Sequence, residues 1–141
     1  MESDAIIKAL SLSPHPEGGW FRETWRAAAE PGARAGGTAI LFLLRAGERS
    51  HWHRVDADEL WLWQAGAPLA LETAATDAGP VVHHRLGGDI AAGEALQHVV
   101  PAGAWQAAAS CGGWSLVSCV VVPGFEFTGF ELAPPGWAPG G

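Results

Sequence analysis

The sequence predicts an all-β protein closed into a sandwich or barrel, with one short helix at its start. Short β-prone segments recur at roughly 8–12-residue intervals, the spacing of sandwiches and barrels. Glycine and proline turn signals separate them: Pro31-Gly32, Gly36-Gly37, Gly47, Gly66, Gly79-Pro80, Gly87-Gly88, Gly93, Pro101-Ala102-Gly103 and Gly112-Gly113. No helical pattern of about 10–15 residues alternates with the strands, which argues against a parallel α/β sheet.

Ser3 or Asp4 can cap the helix, Ile6, Ile7 and Leu10 share one side of it, and Pro14 and Pro16 end it near Leu12. The expected strands are Trp20–Arg26, Thr38–Arg45, Ser50–Arg54, Glu59–Gln64, Leu69–Thr73, Val81–Leu86, Ala95–Val100, Trp105–Cys111, Trp114–Val122 and Phe125–Leu132. Residues 133–141 are rich in proline and glycine and read as an irregular tail.

The 141 residues suit a single domain, and 48% are hydrophobic, so a core forms without disulfides. The net charge of −7 and the lack of any lysine–arginine run exclude a basic surface for nucleic acid or anionic membranes. Met1–Leu12 lacks the pattern of a signal peptide, and the longest apolar runs are far short of a membrane span, so a cytoplasmic location is expected.

The chemistry-bearing stretch runs from Gly47 to Glu59. In a strand, residues i and i+2 point to one face, so His51 and His53 should project together, with Glu59 folding back beside them. Two imidazoles and a carboxylate are a donor set for iron, manganese, zinc or nickel. The same trio can instead act without metal, with His53 as general base oriented by Glu59.

Gly66 closes a turn after Glu59, and Gly93 with Pro101-Ala102-Gly103 marks a second such hairpin. This spacing resembles the two motifs of the cupin superfamily. His15-Pro-Glu-Gly-Gly-Trp-Phe-Arg-Glu-Thr24, Ser50-His-Trp-His-Arg54, Asp58-Glu-Leu-Trp61, Gly66-Ala-Pro-Leu69, Val100-Pro-Ala-Gly-Ala-Trp-Gln106 and Val122-Pro-Gly-Phe-Glu-Phe127 look like the blocks of its cupin-five branch, a domain of unknown function. The resemblance covers about Leu12 to Leu132. It implies a double-stranded β-helix, the jelly-roll barrel, a homodimer and a small-molecule ligand. It also implies a metal held by His51, His53, Glu59 and a histidine three residues after Gly103. That position holds Gln106, a poor ligand beside imidazole, which leaves the metal set incomplete.

If Gly112-Gly113 is a two-residue hairpin loop, Cys111 pairs with Trp114 and Gln106 with Cys119. Gln106 and Cys119 would then share the pocket face, and the two cysteines would lie too far apart to bond. Further candidates for substrate contact are Arg22, which shares a face with Arg26 opposite Glu23, together with Glu17, Trp61, Trp63 and Trp105. His15, between prolines, reads as structural. Sugar-epimerase chemistry that pairs histidine with tyrosine does not transfer, because the chain has no tyrosine. Three functional classes stay open: an isomerase, lyase or oxygenase acting in the barrel, a metal-free module that binds a sugar-like or carbonyl ligand, and a storage or scaffold protein with a vestigial pocket.

Overall fold

A computed structural model describes all residues, Met1–Gly141. Helix α1 (Ser3–Ala9) is followed by β1 (Ser13–Pro14), β2 (Trp20–Arg26), β3 (Thr38–Arg45), β4 (Arg49–Val55), β5 (Asp58–Gly66) and β6 (Leu69–Ala74). Then come β7 (Val82–Leu86), β8 (Gln97–Val100), β9 (Trp105–Ser110), β10 (Trp114–Val122) and β11 (Phe130–Leu132). The strands form two sheets in the orders β1-β2-β3-β10-β5-β8 and β11-β4-β9-β6-β7. From β3 to β11 every connection except β6–β7 crosses from one sheet to the other, which gives the two-sheet jelly roll that the strand spacing predicts.

Period-two patterning builds each wall. Along β10, Ser115, Val117, Cys119 and Val121 are buried, while the residues between them are more exposed. The largest core cluster joins both sheets through Phe42, Leu44, Trp61, Leu69, Leu71 and Leu86. These side chains fill one end of the barrel and leave the other end hollow.

Several expectations need correction. The helix stops at Ala9 and its N-cap is Glu2, with no side-chain cap from Ser3 or Asp4. The segment expected as one strand over Phe125–Leu132 is extended only at Phe130–Leu132, after a 3-10 turn at Phe127–Gly129. The Gly112-Gly113 turn does not join a hairpin. It arches between sheets, because β9 pairs with β4 and β6 while β10 pairs with β3 and β5. Gln106 and Cys119 are nevertheless both inward, on opposite walls rather than on one ladder. Cys111 is exposed, Cys119 is buried, and both are free.

Two bulges control which side chains reach the hollow end. In β4 the pairing with β9 runs Ser50↔Ala108 and then His53↔Gln106, a slip of one residue. In β2 the pairing with β3 slips in the same way between Glu23 and Trp25. A bulge places two residues opposite one, so i and i+3 come to share a face in place of i and i+2.

Candidate active site

The hollow end is a cavity of about 800 Å³ between the sheets. Its walls carry Phe21, Ile40, Val121, Phe125, Phe127 and Phe130 together with the charged side chains of Glu23, Arg26, Arg34 and Glu126. Its floor carries His15, Glu17, His53, Glu59 and Cys119. Apolar surface joined to convergent polar groups is the usual form of a small-molecule site.

The β4 bulge decides the identity of the floor. Ser50 and His53 are the inward pair, at 0% and 2% exposure. His51 turns away, and its Nε2–H donates to the Pro134 carbonyl at 2.9 Å. The expectation that His51 and His53 project together therefore fails, and with it the three-ligand set. No group of three or more His, Cys, Asp or Glu side chains is arranged to hold a metal ion. Gln106 offers no ligand either. Its Oε1 accepts the Trp61 indole N–H at 2.7 Å, and its Nε2 donates to Glu59 Oε1 at 2.8 Å. The donor set present does not fit a divalent metal.

Glu17 reaches the floor from a loop. His15 N–H donates to Gly19 O, and Gly18 N–H donates to His15 O, which folds His15–Gly19 into a tight turn. Gly18 has φ +108°, and a Cβ there would collide with the Arg49 carbonyl. Only glycine therefore lets this turn lie against β4. The turn is anchored by His51 N–H donating to Glu17 O at 2.8 Å. The Glu17 carboxyl meets the Ser50 hydroxyl, lies 3.1 Å from His53 Nδ1 and 3.2 Å from His15 Nδ1.

Burial sets the charge of this cluster. It pushes Glu17 up to about 8, against a smaller opposing effect of the Ser50 hydroxyl. It pushes Glu59 up to about 7, opposed by His53 and reinforced by Glu17. It pulls His15 down to about 4, helped by His53, and it lowers His53 as well. At neutral pH the Glu17–histidine contacts are therefore hydrogen bonds of mostly neutral groups rather than ion pairs. The Cys119 thiol sits beside Glu59 and is pushed up by burial and by that carboxylate, so it is a neutral donor and no nucleophile.

Tautomers follow from the hydrogen bonds. His53 Nδ1 lies 2.8 Å from the His51 carbonyl, so Nδ1 carries the proton and Nε2 is a free lone pair. No buried side-chain nitrogen or oxygen lacks a partner. His53 Nε2, unpaired within the protein, therefore opens onto the cavity.

The remaining candidates fall in different places. Trp61 lies beneath the floor and steadies Gln106. Trp63 packs toward the filled end, where its indole N–H donates to Ala67 O. Trp105 packs at a tilt against Trp137 outside the five-stranded sheet and its indole N–H donates to Asp77, so it does not face a ligand. Arg22 is exposed and absent from the cavity wall, because it alternates with the inward Phe21 and Glu23, and the β2 bulge that follows puts Arg26 on the face of Glu23 instead of that of Arg22. Arg26 pairs with Glu23 at 2.6 Å and donates to Phe125 O at 3.1 Å. Arg34 spans the mouth to Asp56 and Gly124 O. Sequence reasoning missed His15, Ser50, Arg26 and Arg34 as lining or supporting groups. The Pro-Glu-Gly-Gly turn at 16–19 was the one available signal.

Two antiparallel sheets wound as a jelly roll around a cavity are the architecture that cupins share with other jelly-roll proteins. The chain belongs to the cupin superfamily: the family described as Cupin superfamily (DUF985) matches residues 4–133. A crystal structure of a protein from Shewanella oneidensis is 42% identical, with a TM-score of 0.88 over 94% of this chain and 85% of that one. A hypothetical protein from Leishmania major is 34% identical, with a TM-score of 0.87 over 97% and 90%. Oxalate decarboxylase from Bacillus subtilis shares the fold alone, at 14% identity and a TM-score of 0.65 over 84% of this chain and 29% of that one. No curated protein matches the chain at a significant level.

Proposed function

We propose that the chain binds a small organic molecule with an apolar body and a carbonyl-type oxygen at one end, and that Glu59 moves a proton on it. The observation that carries this reading is the placement of Glu59. Its carboxyl faces the cavity, and Gln106 fixes Oε1 while Trp61 fixes Gln106. A carboxyl titrating near 7 is suited to accept and return a proton at neutral pH. The phenyl-lined wall accepts an aryl or branched body, and the His53 Nε2 lone pair offers an acceptor for a ligand hydroxyl. The residues present hold no metal set, so the reading routes nothing through one.

The test is solvent-deuterium exchange at the carbon next to the carbonyl of phenylpyruvate, an aryl 2-oxo acid, followed by proton NMR. The wild type should exchange faster than buffer, with a rate rising through about pH 7 as Glu59 ionises. Glu59→Gln should lose roughly 100-fold or more, the usual size of a general-base contribution. Buffer-rate exchange by the wild type, or an unimpaired Glu59→Gln, overturns the reading. A second reading, ligand retention without turnover, draws on the engagement of Glu59 Oε1 and His53 Nδ1 by the protein. Saturable binding with no exchange would select it.

The proposal extends to assembly. The outer face of the six-stranded sheet carries Leu41, Leu60, Leu62, Val99, Val120 and Val122, with Val99 and Val122 each 53% exposed. The part of this face that the N-terminal helix leaves uncovered, around Val99 and Val122, suits an isologous homodimer. Light scattering at micromolar concentration should give twice the chain mass, and a monomer mass would contradict it.

A further inference from the structure

We infer that His15 is a further catalytic residue of this site, the group that donates a hydrogen bond to the ligand's carbonyl oxygen while Glu59 takes the neighbouring proton. The inference rests on the proposed reading of Glu59. Three observations carry it. His15 Nδ1 accepts the backbone N–H of Glu17 at 3.1 Å, which leaves the ring proton on Nε2. Nε2 has no partner in the protein, and no buried polar side-chain atom is left unpaired, so Nε2–H points into the cavity that the ring lines. The ring is clamped edge-on by Phe21, Phe42 and Phe130, at centroid distances of 4.5, 5.8 and 6.3 Å, which fixes the direction of that N–H.

The two imidazoles of the floor are therefore complementary. His53 presents a lone pair and His15 presents a donor. A preset donor aimed at an oxygen that gains negative charge stabilises that charge with no reorganisation. The ligand class that uses all three groups is a carbonyl compound with an acidic C–H beside the carbonyl. In the step, that C–H bond breaks and its proton passes to the Glu59 carboxylate. The C–H electron pair forms the new carbon–carbon double bond, and the carbonyl π pair moves onto the oxygen held by His15 Nε2–H. Return of the proton to carbon reverses the sequence, and nothing is oxidised or reduced. The placement of Phe125, Phe127 and Phe130 on the wall favours an aryl substituent.

The experiment compares His15→Phe and His15→Gln in the same phenylpyruvate exchange assay. His15→Phe keeps an aromatic ring among its neighbours but removes the donor. It should lower kcat by roughly 100- to 1000-fold, the usual cost of one such donor, with KM changed by less than about threefold. His15→Gln restores an N–H and should recover at least about tenfold of that loss. A structural role would show instead as a lowered unfolding temperature in both variants and no recovery by glutamine. Wild-type kcat in a folded His15→Phe, or equal loss in both variants, overturns the inference and leaves the Glu59 reading standing. Wild-type exchange at the buffer rate overturns both.

Discussion

The two ends of the barrel are built from the same strands and carry opposite chemistry. On β3 the inward positions run Thr38, Ile40, Phe42, Leu44, from cavity to filled end. On β5 they run Glu59, then Trp61, and on β10 Val121 and Cys119, then Val117. On β3 and β5 the bulkiest inward side chains, Phe42, Leu44 and Trp61, sit at the filled end, and Thr38 and Glu59 sit at the cavity. Period-two alternation alone would have made a uniform core. The difference teaches that the filled end holds the sheets together, so the hollow end can hold buried carboxyls whose ionised forms the fold opposes.

That separation breaks most plainly if a filled-end deletion is harmless. Leu71→Ala removes a fully buried side chain from the main cluster and should cost about 2–5 kcal/mol in chemical unfolding. Little change in the unfolding midpoint would show that the filled end is not the structural half.

Glu17→Gln probes the other half. Glu17 holds its proton to about pH 8 in the folded protein but only to the ordinary carboxylate range when unfolded. Between those values the folded state binds the extra proton, so wild-type stability falls as pH rises and levels off above about 8. The glutamine variant lacks that loss. It should gain on the wild type by roughly 4 kcal/mol between pH 5 and pH 9, measured as paired melting curves. A gap that does not widen with pH would mean that Glu17 is ionised in the fold. His15 acts with the opposite sign, since its depressed pKa makes stability fall as pH drops through 6.5 toward 4.

Trp61→Phe sharpens the boundary between the ends. It keeps the aromatic bulk but strands Gln106 Oε1, at a cost of about 1–3 kcal/mol. Because Gln106 then holds Glu59 less firmly, exchange activity should fall with it, whereas a purely packing role would leave activity intact. The smallest effect belongs to His51→Ala, which removes one exposed hydrogen bond to Pro134. Stability should shift by less than about 0.5 kcal/mol, and neither exchange activity nor metal content by mass spectrometry should change. Stoichiometric metal lost in this variant would restore the discarded ligand set.

The fold was legible because its signals are local: glycine and proline turns, short strand-like segments at regular spacing, and block spacing that matches one family. The site was legible only where parity survived. Glu59 and Trp61 share the inner face because β5 is regular between them. The pairing of His51 with His53, and of Arg22 with Arg26, failed because each strand carries a bulge that nothing in its side-chain pattern announces. Glu17 stood out as part of a sequence block, yet it meets Ser50 across a separation of 33 residues, a contact that no local pattern announces. The inward facing of Gln106 and Cys119 was reached through a hairpin that does not exist, since a Gly-Gly turn does not reveal whether the next strand returns to its own sheet.

The central claim is that the hollow end raises the titration of two acidic side chains to near neutrality. The most direct measurement is a carbon-13 NMR titration of the glutamate side-chain carboxyls in the wild type, Glu17→Gln and Glu59→Gln. Two resonances should titrate far above the ordinary range, near 7 and near 8, and each should vanish in its own variant. If every carboxyl in the wild type ionises below about pH 5.5, the floor is charged at neutral pH and the account is wrong.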